Sequence, residues 1–203
     1  MGRTGTGQAS CPFCKVDALL GMLPPTDGGE NIPCRRGIYE DPYCIATLAA
    51  ESYATGHTLV ILRQHRRDIA DTCITEEEKK GFIEAIHKVA THLKATLGEI
   101  YKPPERIYVG ILCDGVEHLH AHLIPRYEFS KDDEEIYRQL FWQRDGVDKV
   151  RSRIRKKDMG GFWYLSEREQ HYKRYQTSEA WARTDKERAA YLEALAKDLR
   201  LPS

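Results

Sequence analysis

Glu117-His118-Leu119-His120-Ala121-His122-Leu123-Ile124-Pro125-Arg126 sets three of the chain's eight histidines at alternate positions, with apolar residues between them. A strand repeats its side chains every two residues. His118, His120 and His122 therefore share one face, and Leu119, Ala121 and Leu123 share the other. Same-face neighbours on a strand lie roughly 6.5–7 Å apart, so three imidazoles line one wall. A helix would scatter them around its axis. Imidazole serves near neutral pH as nucleophile, proton donor or metal ligand. Three buried imidazoles without partners are costly, which argues against an incidental, purely structural set. Spacing alone leaves a metal site and nucleophilic catalysis both open.

Outward from this stretch, Arg106-Ile107-Tyr108-Val109-Gly110-Ile111-Leu112 reads as a strand. The Asp114-Gly115 turn then makes a hairpin with the histidine strand, which Pro125 is expected to close. Before it, Thr75 and Glu78 form a capping box that opens a helix. Phe82, Ile86, Val89, Leu93 and Leu97 follow at helical spacing, with Gly98 as the expected cap and His87 and His92 on the solvated side. Residues 37–50 read as two paired strands around Asp41-Pro42, and Gly56 opens an apolar strand, His57-Thr58-Leu59-Val60-Ile61-Leu62. Strands, helix, strands, then helices make an α+β fold with an antiparallel sheet.

Three segments follow: 1–10, rich in Gly, Ser and Thr and expected to be disordered; 11–128, the main domain; and 129–203, a charged, mostly helical extension. The second opens with a turn over residues 11–14, a short apolar piece, residues 16–20, and a loop marked by Pro24-Pro25 and Gly28-Gly29. In the extension, residues 149–157 form a basic run, read as a solvated face. Gly160-Gly161 precedes an aromatic cluster, Phe162-Trp163-Tyr164-Leu165, read as packing on the sheet or on a partner. Thr184 with Glu187 makes a second capping box ahead of Ala189, Leu192, Leu195, Ala196 and Leu199.

Lys plus Arg equals Asp plus Glu at 31 each, so no global field draws the 203-residue chain to nucleic acid or an anionic membrane. No apolar run is long enough to span a bilayer and the N-terminus has no secretory pattern, which points to the cytoplasm. Of six cysteines, Cys34, Cys44, Cys73 and Cys113 are isolated and read as reduced core thiols. Cys11-Pro12-Phe13-Cys14 differs, because two intervening residues let both thiolates reach one metal ion.

His118-Leu119-His120-Ala121-His122-Leu123-Ile124, followed by Pro125-Arg126, resembles the histidine triad (HIT) family. Cys11-Pro12-Phe13-Cys14-Lys15 resembles the start of its zinc-containing branch. Tyr39-Glu40-Asp41 resembles the family's early hairpin, and Gly56-His57-Thr58-Leu59-Val60-Ile61, ending at His65, its second strand. The resemblance spans roughly residues 11–127. It implies a homodimeric nucleotide hydrolase or nucleotidyl transferase, acting at the α-phosphorus of a dinucleoside polyphosphate or nucleoside phosphoramidate. It makes His120 the nucleophile, has His122 bind phosphate or protonate the leaving group, and sets His57 beside them. A related transferase branch carries Gln at the third place, so His122 favours hydrolysis or phosphorolysis. The resemblance also completes a structural zinc site from Cys11, Cys14, His65 and His118. The approach to the triad is shorter than is usual in the family, so Gly115 and Val116 amides are the expected phosphate donors. Asp114 and Glu117 would repel a polyphosphate unless they point away or bind a cation. A metal-dependent hydrolase with triad-bound zinc, or a non-catalytic nucleotide or nucleic-acid binding module, are the rival readings.

Overall fold

The computed structural model describes residues 11–15, 21–23, 32–50, 52, 54–113, 115–128, 131, 134–135, 137–138, 141, 146–156 and 184–201. Residues 1–10 and 16–20, the Pro24-Pro25 and Gly28-Gly29 loop, Asp114, Lys157 and the cluster at Gly160–Leu165 lie outside them. A small ribbon pairs β1 (Met22–Leu23) with β2 (Ile32–Pro33). The main sheet contains β3 (Gly37–Glu40), β4 (Cys44–Leu48), β5 (Thr58–Leu62), β6 (Arg106–Gly110) and β7 (His120–Arg126). Its order is β3-β4-β5-β7-β6, every pair antiparallel. Helices among the described residues include, in chain order, α1 (Glu76–Ile100), which lies between β5 and β6, α2 (Val147–Arg155) and α3 (Asp185–Asp198). This is the α+β arrangement expected from the sequence. Among the described residues, no helix is long and apolar enough to cross a membrane.

The alternation in each strand divides the sheet into two chemically different faces. Ala46, Leu48, Val60, Leu62, Ala121 and Leu123 point to the side covered by α1 and α3. Phe82, Val89, Leu93 and Leu97 of α1 and Leu192 and Ala196 of α3 meet them there, all buried. Each buried Val, Leu or Phe side chain among them contributes about 1.5–3 kcal/mol through the apolar surface it removes from water. The last helix thus completes the same core as the sheet. On the opposite face lie Ile45, Ile61, His120 and His122, with Phe13 covering one end. Ile124, two residues past His122, packs under Tyr137, Phe141 and the Val150 and Ile154 side chains of α2.

Both capping boxes are present. Thr75 Oγ1 accepts the Glu78 N–H while the Glu78 carboxylate accepts the Thr75 N–H, and Thr184 and Glu187 do the same for α3. Gly98 does not end α1; the helix runs on to Ile100, and a Cβ at Gly98 would stand 3.7 Å from Pro103, an ordinary contact. Pro125 does not end its strand either. The Arg126 carbonyl accepts the Glu105 N–H, so Pro125 turns its missing donor away from β6, towards the side where β5 has already stopped. His92 is no solvated residue: its Nε2–H donates to the Leu199 carbonyl at 3.0 Å and ties α1 to the end of α3. Cys73 is exposed, so only Cys34, Cys44 and Cys113 of the four isolated thiols are buried.

Gly56 occupies the left-handed region at φ +82°, and a Cβ there would stand 2.7 Å from Leu97 Cδ1. Gly56→Ala is expected to destabilise the fold by about 2–4 kcal/mol, combining left-handed strain with overpacking. Urea unfolding measures this, and a change below about 0.5 kcal/mol would show that the turn relaxes freely.

Candidate active site

A short 3-10 turn over Pro12–Cys14 presents both cysteines to the end of β5 and the approach to β7. Cys11 Sγ lies 3.3 Å and Cys14 Sγ 3.6 Å from His118 Nδ1, and Cys14 Sγ lies 3.2 Å from His65 Nδ1. All four donor atoms fall within 4.8 Å of one another. A tetrahedral ion with sulfur and nitrogen ligands spaces those atoms about 3.5 Å apart, so the set fits one small cation. The outer contacts agree. His118 gives its Nε2–H to the Leu62 carbonyl at 2.6 Å, which leaves the Nδ1 lone pair facing the thiols. The His65 loop is anchored next door, where Arg66 makes a two-pronged pair with Glu78 at 2.9 and 3.0 Å. The Arg66 carbonyl also accepts the Leu119 N–H. Without a cation, burial and the adjacent Cys11 push the Cys14 thiol up to about 11.

His118 precedes the strand rather than belonging to it, because its N–H turns back to the Val116 carbonyl. The ring nevertheless stays on the histidine face, edge-on to Phe13. His120 Nδ1–H donates to the His118 carbonyl at 2.6 Å, so its Nε2 carries the lone pair. Burial lowers its basicity, partly offset by that carbonyl. Phe13 sets its ring edge against His120 at 4.9 Å between centroids. His122 Nδ1 and His57 Nε2 lie at hydrogen-bond distance, 3.1 Å, with the rings stacked. Register pairing places His122 opposite Leu59 on one side and Gly110 on the other.

The HIT domain profile matches residues 31–129. An uncharacterized HIT-like protein of Mycoplasma genitalium is 33% identical over 127 residues, 61% of this chain and 77% of its own. The chain belongs to the HIT family. The protein named Hit of Bacillus subtilis is 29% identical over 118 residues, 58% of this chain and 72% of its own. Among solved structures, a Hit-like protein involved in cell-cycle regulation from Bartonella henselae aligns at 32% identity. That alignment covers 48% of this chain and 73% of its own, at a TM-score of 0.41. A Zn-bound histidine triad family protein from Mycobacterium smegmatis aligns at 25% identity over 62% and 81%, at a TM-score of 0.45.

In this HIT protein Cys11, Cys14, His65 and His118 converge on one point, and His57, His120 and His122 line the wall beside it. Gly115 is exposed, and Val116 is half-buried among the apolar residues around Phe13. Glu117 turns outward to Arg67 at 3.2 Å, which removes one of the two acids flanking the triad approach. Phe13, Arg66 and the Leu62 carbonyl are parts of the site that sequence reasoning missed. Only Phe13 carried a signal, as the apolar residue between the two cysteines.

Burial, then the neighbouring His120, push His122 down to about 4. An unfolded chain would therefore bind more protons at this position between pH 6.5 and 4, and stability rises with pH there. The His122 contribution is complete above pH 6.5 and is lost as the pH falls through that window. NMR titration is expected to show His122 neutral at pH 6; a midpoint above 6 would contradict this.

Proposed function

We propose that this HIT protein is a nucleotide hydrolase or nucleotidyl transferase, cleaving a phosphoric anhydride or phosphoramidate bond at the α-phosphorus of a nucleotide. The observation that carries the reading is the His120 Nδ1–H bond to the His118 carbonyl. It presents a neutral Nε2 lone pair as nucleophile and steadies the imidazolium that forms on attack. His120 Nε2 forms the P–N bond as the bond to the leaving group breaks, and the leaving atom departs with the electron pair. With His57 donating to its Nδ1, His122 keeps an Nε2–H for a phosphate oxygen or the departing atom. Water then attacks phosphorus as the P–N bond breaks, the bonding pair returns to His120 Nε2, and the water's proton passes to solvent. Gly115 and Val116 amides are the proposed phosphate donors.

Cys11, Cys14, His65 and His118 are the proposed zinc ligands, in a closed set with a structural role. Bound zinc would cross-link the N-terminal turn to the approach of the catalytic strand. Residues 11–128 are the proposed catalytic domain and 129–203 the proposed extension, of which α3 packs on the main core, and the cytoplasm is the proposed compartment. The decisive experiment offers a panel of nucleoside phosphoramidates and dinucleoside polyphosphates and looks for an acid-labile nucleotidyl adduct on His120. No adduct and no turnover across the panel would sink the mechanism.

A homodimer is proposed through β6. It is the last strand of the sheet, with Val109 50% and Leu112, just beyond it, 67% exposed. Such an edge is a template for pairing with a second copy. Val109→Asp with Leu112→Asp is expected to halve the mass seen by light scattering. An unchanged mass would place the interface elsewhere.

A further inference from the structure

The turn before β5 holds His57 against His122, and its contacts reach into the C-terminal extension. His57 N–H donates to the Ala54 carbonyl, and the His57 carbonyl accepts the Ala49 N–H, both at 2.9 Å. Tyr127, just past β7, donates its hydroxyl to the Thr55 carbonyl at 2.8 Å. Thr55 Oγ1 in turn accepts the Tyr191 hydroxyl at 3.3 Å, from the second turn of α3. α3 cannot drift from this position. His92 holds the Leu199 carbonyl, Leu201 N–H donates to the Ile38 carbonyl at 2.9 Å, and Leu192, Leu195 and Ala196 are buried in the main core.

We propose that Tyr191 is a positioning residue, whose hydroxyl, acting through Thr55, fixes the turn that holds His57 in register with His122. The helix face needs no hydroxyl for its packing, since apolar residues supply the buried contacts on either side. A phenol oxygen that leaves water needs a partner, and here it has one two residues from His57. His57 is 2% exposed, and its bond to His122 depends on where this turn stands. A turn free to shift by half an ångström would lengthen the 3.1 Å contact beyond a good hydrogen bond. The extension is thereby part of the catalytic geometry, although it packs on the far face of the sheet.

This inference rests on the proposed chemistry only for its kinetic test. Imidazole 15N spectra of the full chain give a readout that needs no substrate. In Tyr191→Phe, which keeps the ring, the His57 and His122 signals are expected to move towards averaged tautomers. The His92 signal should stay in place and report that α3 is still docked. Thr55→Val should reproduce the change, Thr55→Ser should restore the wild-type pattern, and the double variant should add nothing to either single one. With adenosine 5′-phosphoramidate, kcat should fall about 3- to 10-fold while KM holds within about two-fold, the size of one hydrogen bond. Superimposable His57 and His122 spectra in both Tyr191→Phe and Thr55→Val would overturn the proposal. If the wild-type chain turns over no nucleotide, the functional reading fails, and the spectra still decide the positioning.

Discussion

His120→Ala is expected to lower nucleotide turnover by about 10⁴-fold or more while leaving the bound metal in place. The size follows from the role proposed for His120. Removing a covalent nucleophile forces water to make the whole displacement in one step, without the lone pair that His120 Nε2 holds ready. Metal retention follows from geometry. The candidate cluster uses Cys11, Cys14, His65 and the Nδ1 of His118, and His120 points its Nδ1 away from it, at the His118 carbonyl. Binding of the unreactive product nucleotide should weaken by no more than about ten-fold, because the nucleophile adds most in the transition state. Single-turnover kinetics, calorimetry and elemental analysis of the same preparation make the comparison. Loss of metal together with activity would transfer the chemistry to a triad-bound ion. Near wild-type turnover would remove His120 from the mechanism altogether.

Cys14→Ser should abolish stoichiometric zinc binding and lower the melting temperature by about 10 °C. Structural zinc contributes directly to folding free energy, and about 4 kcal/mol at this chain length corresponds to a shift of that order. The effect has a local path. Cys14 is within reach of both His65 and His118, so its loss unties the Cys11–Cys14 turn and the loop after β5 together. Phe13, which stands between the cysteines and covers His120, loses its support in the same event. A chelator should reproduce the shift in the wild-type chain and leave the serine variant unchanged. A full zinc complement in Cys14→Ser would show that the four-ligand set is wrong.

The regular elements were legible because local chemistry and tertiary packing agree on them. The two capping boxes place the starts of α1 and α3, and the alternation of His120, Ala121, His122 and Leu123 separates a histidine face from a packed one. Where the two disagree, sequence reasoning failed. Gly98 has the composition of a helix end, yet the helix runs two residues past it, to Ile100. Pro125 has the composition of a strand end, yet its missing donor falls where no neighbouring strand waits. His92 lies off the apolar stripe, and its carbonyl partner is 107 residues away, beyond any local pattern. The same limit hid the Leu62 carbonyl behind His118. Backbone acceptors have no letter in the sequence, and these two set the orientation of both imidazoles.

The core contacts of α3 also bear on how the chain is made. Cys34 donates to the Ala189 carbonyl across 155 positions, and Leu192, Leu195 and Ala196 close the hydrophobic layer that the first half of the chain begins. A ribosome releases β3 to β7 and α1 long before it reaches residue 199, so the nascent sheet waits with part of its apolar layer uncovered. Pairings of such long separation form slowly, and they leave the waiting intermediate open to self-association. Synthesis rate and chaperone supply should therefore govern the yield of this protein more strongly than they would for a HIT domain whose core closes within itself.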